Sequence, residues 1–373
     1  NERVVPLNSG ASSSSRIVYR EFPGESPVVD GTDVNLPDDL AGLVDISNLS
    51  HILFRGFSVR DAGTDDNHCG ILLDASSDIV VSGCTTYNTV SSGIAAWDCI
   101  DITIENNEVE LACNDGEQEC ITVAGTVGFT VSGNHVHDSG PGTIGGEGID
   151  IKDGSSNGSV YENVVHDINR IGIYVDSWNK PTNYISVYGN TVYSTADDGF
   201  ALAAEAGGLL SQVDVFNNLA WSNANSGLSV ASWGETGCGH PMSDIRIINN
   251  TFYGNGSQGW GVGVSIENSD AKAVTVRNNI LSNNLYAQIL VEEFGSELSV
   301  DHNLFFGTGS PYGSSYFTSN PEFLNPVRGD FHLSSTSPAI DSGSSLEAPD
   351  FDIEGNPRPQ GAGFDLGAYE FTD

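Results

Sequence analysis

From residue 51 onward, apolar and polar residues alternate in short runs, and the runs recur. One kind of run opens on glycine and then places an apolar residue at every second position. It occurs at Gly70-Ile71, Gly93-Ile94, Gly148-Ile149, Gly172-Ile173, Gly199-Phe200, Gly227-Leu228 and Gly263-Val264. A second kind ends in asparagine, at Asn107, Asn134, Asn163, Asn190, Asn218, Asn250, Asn279 and Asn303, with successive gaps of 24 to 32 residues. Alternation with period two marks a strand with one buried face. A recurrence of this length is a solenoid period. The pattern predicts an all-β parallel β-helix whose coils each supply short strands with alternate side chains inward. Ile149 and Ile151 then stack on Ile173 and Val175, on Phe200 and Leu202, and on Leu228 and Val230. Asparagine at one fixed position predicts a ladder of stacked amides, at a turn whose left-handed backbone asparagine tolerates. Cys84 takes the same place in an earlier coil. A further stack follows the ladder by three residues, at His137, His166, Tyr193, Trp221 and Tyr253, and reads as aromatic packing along the solenoid. His137 and His166 are each followed by Asp, which can orient an imidazole.

Outside the repeat the pattern changes. Residues 1–50 hold short strand-like runs (Ile17-Val18-Tyr19, Val28-Val29-Asp30) and read as a cap with the first rungs. Residues 51–318 carry the repeats. Residues 319–373, with Gly329-Asp330-Phe331-His332-Leu333 and Asp365-Leu366-Gly367-Ala368-Tyr369-Glu370, read as a capping segment that covers the last open coil.

Composition narrows the partners. The 373 residues carry 50 acidic and 13 basic side chains, a formal net charge of −37. Nucleic acid and anionic membrane surfaces both need cations that this chain lacks. No 18-residue apolar run is present, so no spanning helix is expected. A start at Asn1 without Met predicts an exported chain whose signal peptide has been removed. The six cysteines lack paired C-x-x-C spacing, which argues against zinc. Disulfides are expected instead, with Cys113 and Cys120, which bracket a polar loop, as the preferred pair.

Against this background one stretch stands out, Gly145-Gly146-Glu147-Gly148-Ile149-Asp150-Ile151-Lys152-Asp153-Gly154. Lys152 is one of three lysines in the chain. Outward positions of the glycine-led strands are small before it (Thr122, Ala124) and after it (Ala201, Ala203, Ser229, Ala231), predicting an elongated groove. Between them stand Asp150 and Lys152 on one coil and Tyr174 and Asp176 on the next. Strands about 4.8 Å apart would bring Lys152 beside Asp176 and Asp150. Glu147 and Arg170 enter from preceding loops, as do Asp197 and Asp198. Glu205 follows the third coil. Trp178, Trp233 and His240 come from longer loops, and the tryptophans offer faces for sugar rings.

These residue types suit cleavage of a uronic acid polymer by β-elimination. A base removes the proton at C5 while a cation neutralises the adjacent carboxylate, on which charge builds in the transition state. Ca²⁺ held by Glu147, Asp150, Asp176 and Asp198 could supply that cation, as could Arg170. Lys152 is the candidate base, and His166 or Tyr174 a fallback base or acid.

The repeat resembles the right-handed parallel β-helix polysaccharide lyases. Asp197-Asp198-Gly199-Phe200 is similar to the Asp-Asp-Gly calcium motif of pectate lyases that use a lysine base, with Ala201 where those enzymes carry a further Asp. Glu147-Gly148-Ile149-Asp150-Ile151-Lys152-Asp153 resembles the Tyr-Gly-Phe-Asp-Pro-His-Glu motif of alginate C5-epimerases, with Glu147 and Lys152 replacing Tyr and His. Gly172-Ile173-Tyr174-Val175-Asp176 is similar to those enzymes' next coil. The tail, residues 319–371, resembles the C-terminal element of bacterial exported β-helix proteins. These resemblances imply a secreted lyase or epimerase acting on a polysaccharide, and the chain is expected to be a monomer. Two other readings stay open. One is a glycoside hydrolase using pairs among Asp150, Asp176, Asp198 and Glu205. The other is a non-enzymatic glycan-binding surface protein.

Overall fold

The computed structural model describes residues 2–37, 39–142, 145–257 and 259–372. Two compact units divide between Val175 and Asp176. Each is a stack of β-coils with parallel strand pairing, and the one helical element among the described residues is the 3₁₀ turn Pro326–Arg328.

In the first unit each coil contributes three strands. The glycine-led strands run Ala41–Ser47, His68–Asp74, Ile94–Trp97, Ile121–Ala124 and Ile149–Lys152, and the next, Ile173–Ser177, contains the division. A second series includes Ile100–Glu105, Val127–Ser132 and Ser156–Tyr161. A third, shorter series includes Glu108–Glu110, His135–His137 and Val164–His166. Register is strict: Ile121 pairs with Ile149 and Ile149 with Ile173, while Val123 pairs with Ile151 and Ile151 with Val175. All are buried, so this apolar column forms as the alternation requires. Gly148 is demanded by sterics. A Cβ there would lie 2.5 Å from the Gly172 carbonyl oxygen and 2.5 Å from Val165.

The asparagine ladder forms in both units. Asn134 Oδ1 accepts from the backbone N–H and the side-chain amide of Asn107, each at 3.0 Å, and Asn163 Oδ1 does the same for Asn134. Cys84 does begin this ladder, its N–H donating to Asn107 Oδ1 at 2.9 Å. In the second unit the series runs Asn190, Asn218, Asn250, Asn279, Asn303, with backbone-to-amide distances of 2.8 to 3.0 Å. The left-handed backbone falls on the preceding residue, at Asn106, Gly133, Glu162, Asn217, Asn249 and Asn278 among others. The ladder residues accept hydrogen bonds, and their neighbours make the turn. A second ladder, which the sequence reading did not single out, joins Thr195, Asn223, Asn255, Asn284 and Gln288.

The second unit is likewise built of β-coils, with Phe200–Ala204, Leu228–Ala231 and the long Val262–Arg277 and Ala287–Asp301. Phe200 pairs with Leu228 and Leu202 with Val230, all buried. Its C-terminal segment does not act only as a lid on the last coil. It lies along the sides of the coils, held by Asn217, Asn249 and Asn278, whose amides donate to the carbonyls of Phe351, Asp365 and Ser344. Phe331 packs 5.3 Å from Tyr253 and 6.1 Å from Trp221, ring to ring. The Arg358–Glu370 pair beneath it, at 2.8 Å, is fully buried.

The expected disulfides are absent. All six cysteines are free thiols, five of them buried. Cys113 and Cys120 are neighbours, yet the Cys113 Sγ donates to the Gln118 carbonyl at 2.7 Å. Burial pushes the Cys113 thiol well above its ordinary range, with Cys120 adding to the effect.

Candidate functional site

In the first unit, three successive glycine-led strands build an outward row. Register sets Thr122 beside Asp150 and Asp150 beside Tyr174, while Trp97, Ala124 and Lys152 form the next column. The position two residues before these strands begin is occupied by Ser92, Glu119 and Glu147 in turn. Glu119 and Glu147 therefore come one coil apart. Both are 5% exposed and Asp150 is 2% exposed.

Two cations face these carboxyl groups. Lys152 Nζ donates to Glu119 Oε1 at 2.7 Å and Gln118 Oε1 at 3.1 Å, lies 3.9 Å from Asp150 Oδ2, and sits 5.6 Å from the Trp97 ring centroid. Thr122 Oγ1 donates to the other Glu119 oxygen at 2.8 Å. Arg170 reaches in from the following loop, its Nε 3.1 Å from Glu147 Oε1, and stays 44% exposed. Burial first and Glu119 second push the Glu147 carboxyl from its ordinary 4.5 up to about 7, against the opposing pull of Arg170 and Lys152. Glu147 is thus a carboxyl that exchanges its proton near neutrality, with an accessible guanidinium beside it.

The structure sets Lys152 against Asp150 and Arg170 against Glu147. Tyr174 joins the row but is buried. His166 belongs to a different sheet, on the strand Val164–His166, with His135, His137 and Asp167 as neighbours. Glu119, Gln118 and Trp97 were missed by sequence reasoning. Glu119 is separated from Lys152 by a whole coil, and the signal that could have found it is the shared place of Glu119 and Glu147 before their strands.

The second unit holds the other candidates. Asp176 is buried near the end of Ile173–Ser177. Asp198 takes the position that Glu147 takes in the first unit. Its Oδ1 accepts the Ser226 N–H at 2.6 Å, and burial with the charge of Asp197 lifts its carboxyl to about 7. Trp178, Glu205, Trp233 and His240 meet at one corner. The Glu205 N–H donates to the Ser177 carbonyl and the Ala206 N–H to the Trp178 carbonyl, both at 2.9 Å. The Glu235 N–H donates to the Glu205 carbonyl at 2.9 Å, and His240 Nδ1 lies 2.6 Å from the Ala204 carbonyl oxygen. Trp178 and Trp233 each expose 38% of their surface. The small residues expected to floor an open groove are covered instead: Ala201, Ala203, Ser229 and Ala231 are all buried. A concavity of about 750 Å³ opens elsewhere in this unit, lined by Tyr184, Asp214, Arg246, Thr275, Glu297 and Glu347.

Comparison with known proteins agrees on architecture. Residues 41–157, 69–238 and 209–305 match the family described as Right handed beta helix region. An uncharacterized protein of Bacillus subtilis (strain 168), YwoF, is 25% identical over 312 residues, 75% of this chain and 65% of its own length. The chain thus spans just under two thirds of that curated relative. Pectate lyase Pel9A is similar with a TM-score of 0.56 at 15% identity, over 99% of this chain and 83% of its own. A tailspike protein mutant of E. coli bacteriophage HK620, in complex with a pentasaccharide, gives 0.59 at 11% identity, over 83% of this chain and 61% of its own. The coil period, the parallel register and the family match converge: the chain belongs to the right-handed β-helix family.

Proposed function

We propose that this chain is a glycan-cleaving enzyme that acts on a uronate-containing polysaccharide by β-elimination. The observation that carries the reading is the Glu147 carboxyl, near-neutral in its proton exchange and in contact with the half-exposed Arg170. In this reading Arg170 turns to the substrate carboxylate and neutralises it. Glu147, ionised, takes the C5 proton, and the electron pair of that bond forms the C4–C5 double bond. The C4–O bond breaks, and the leaving oxygen takes a proton from water or from the Lys152 ammonium. Lys152, gripped by Glu119 and Gln118, serves better as a positioned cation than as the base. Arg170, 44% exposed, is the cation of this site that an anionic substrate can reach.

Calcium fits these residues less well. Glu147 has Arg170 at 3.1 Å and Asp150 has Lys152 at 3.9 Å, so protein cations stand where a calcium ion would balance charge. Asp198 Oδ1 already accepts the Ser226 N–H, which leaves fewer of its lone pairs for a calcium ion. No step is assigned to the metal. In the second unit, the exposed rings of Trp178 and Trp233 beside Glu205 and His240 suit stacking on sugars. The names of the solved relatives, a pectate lyase and a tailspike holding an oligosaccharide, fit a glycan partner.

Hydrolysis is the second reading. It is favoured by the same Glu147, which in its protonated form is a general acid, with Asp150 as the partner carboxylate. The test is a screen of purified protein against alginate, pectate, glycosaminoglycans and neutral glycans, read by the ultraviolet absorbance of an unsaturated product and by reducing ends. Both signals together support elimination, and reducing ends alone support hydrolysis. Binding without cleavage, unchanged in Glu147→Gln, would overturn both in favour of a binding protein.

A further inference from the structure

On the first unit's third, shorter sheet, three outward histidines do not behave as a plain aromatic stack. Glu108, His135, His137 and His166 project from three consecutive coils. Register pairs Glu108 with His135 and His137 with His166, and the intervening Val109, Val136 and Val165 point into the core. His135 Nε2 and His166 Nε2 face each other at 2.8 Å. Ring centroids lie 4.2 Å apart for His135 and His137 and 5.3 Å apart for His137 and His166. Ligand atoms of Glu108, His135 and His137 all lie within 4.8 Å of one another.

The outer contacts fix which nitrogens face inward. His137 Nδ1 lies 2.8 Å from Asp138 Oδ2, and His166 Nδ1 lies 2.7 Å from Asp167 Oδ2. A carboxylate at Nδ1 holds the proton there and leaves the Nε2 lone pair directed at the cluster. Carboxylates placed in this way orient and strengthen metal-ligating histidines. His137 Nε2 is buried and lacks a hydrogen-bond partner, with Glu108 Oε1 3.5 Å away. Without metal, the His135 Nε2 and His166 Nε2 atoms share one proton in a hydrogen bond, and a metal ion can replace that proton between them. Two nitrogens on one tetrahedral ion at bonds of about 2.0–2.1 Å lie only slightly over 3 Å apart, so a small outward rotation of the rings suffices.

We propose that Glu108, His135, His137 and His166 form a binding site for a divalent transition-metal ion of the zinc, nickel or copper type. Three imidazoles and one carboxylate suit these borderline ions, and not Ca²⁺ or Mg²⁺, which take oxygen donors. The ligands come from three coils, so the ion clips neighbouring coils together on a sheet other than the one carrying Glu147.

The experiment is calorimetric titration of chelator-treated full-length protein with ZnCl₂ and with NiCl₂, in excess MgCl₂ to saturate the acidic surface, followed by thermal melts with and without Zn²⁺. One Zn²⁺ per chain is expected, together with a raised melting temperature. His135→Ala with His137→Ala should abolish that binding while leaving the circular dichroism spectrum unchanged. Asp138→Asn, which keeps all four ligands, should weaken it about 10-fold or more. Cobalt substitution should give the visible absorption of a nitrogen- and oxygen-ligated ion in the parent and none in the double variant. Zinc binding of equal affinity in parent and double variant, or no saturable binding in the parent, would overturn the proposal. If the double variant fails to fold, the Asp138→Asn affinity and the cobalt spectrum of the parent decide the matter.

Discussion

Replacing Glu147 by Gln should separate stability from turnover. In the unfolded chain the Glu147 carboxyl ionises near 4.5, but in the folded protein burial and Glu119 delay ionisation to about 7. Between those values the folded state keeps a proton that the unfolded state has lost. Stability therefore falls as pH rises from 4.5 to 7 and stays low above. The difference in pKa corresponds to about 3 kcal/mol. Glutamine has the shape of the protonated acid and no charge to bury. Glu147→Gln should match the parent at about pH 4 and exceed it by up to about 3 kcal/mol at about pH 8. Urea unfolding of both proteins across this range measures the difference directly. Parallel stability curves would refute the argument, since they would mean that Glu147 ionises alike in both states. The same variant should lack turnover at every pH. In the parent, elimination with Glu147 as base requires activity to rise with pH through about 7. Hydrolysis with Glu147 as acid requires it to fall there, so the sign of that limb distinguishes the reactions.

Arg170→Ala should lower kcat/KM by about 100-fold through loss of charge neutralisation, and should move the limb assigned to Glu147 to higher pH, because Arg170 favours the ionised carboxyl; an unmoved limb in the pH–rate profile would argue against this pairing. Lys152→Met should leave the buried Glu119 carboxylate without its cation and cost about 3 kcal/mol in urea unfolding, whereas a loss below about 0.5 kcal/mol would place the pair in the surface class. Asn134→Ala removes the acceptor of the Asn107 N–H and amide inside the stack and should cost about 2–3 kcal/mol by the same measurement. Treatment with a calcium chelator should leave cleavage of the best substrate unchanged, and a loss restored by Ca²⁺ alone would return the neutralising role to that metal.

The coil architecture was legible because it is written in local periodicity. The Gly148 and Gly172 runs and the Asn107–Asn303 series give the strand alternation and the coil length without any knowledge of contacts. The partners of Lys152 were only partly legible. Asp150 shares its strand, so a period of two reveals it. Glu119 lies on another coil, behind a loop whose length hides the register; its place before its strand, shared with Glu147, is the sequence signal for it, and the observed pairing of Ala124 with Lys152 locates it. The tail was misread in part because Phe331 and Leu366 carry no periodicity that says which surface they cover. The histidine cluster was half visible: His137 and His166 follow the ladder at a fixed distance, but His135, two residues earlier on the same outward face, was not singled out.

The position two residues before the strand begins is held by Ser92, Glu119, Glu147 and Ile171 in one unit and by Asp198 and Ser226 in the other. The backbone there is set by the coil, whichever side chain is mounted on it. A solenoid of this kind offers its chemistry in interchangeable slots, so a carboxyl can be added or withdrawn by a single codon change without rebuilding the scaffold. Ser92→Glu combined with Glu147→Ser would show how far reactivity can be shifted from coil to coil.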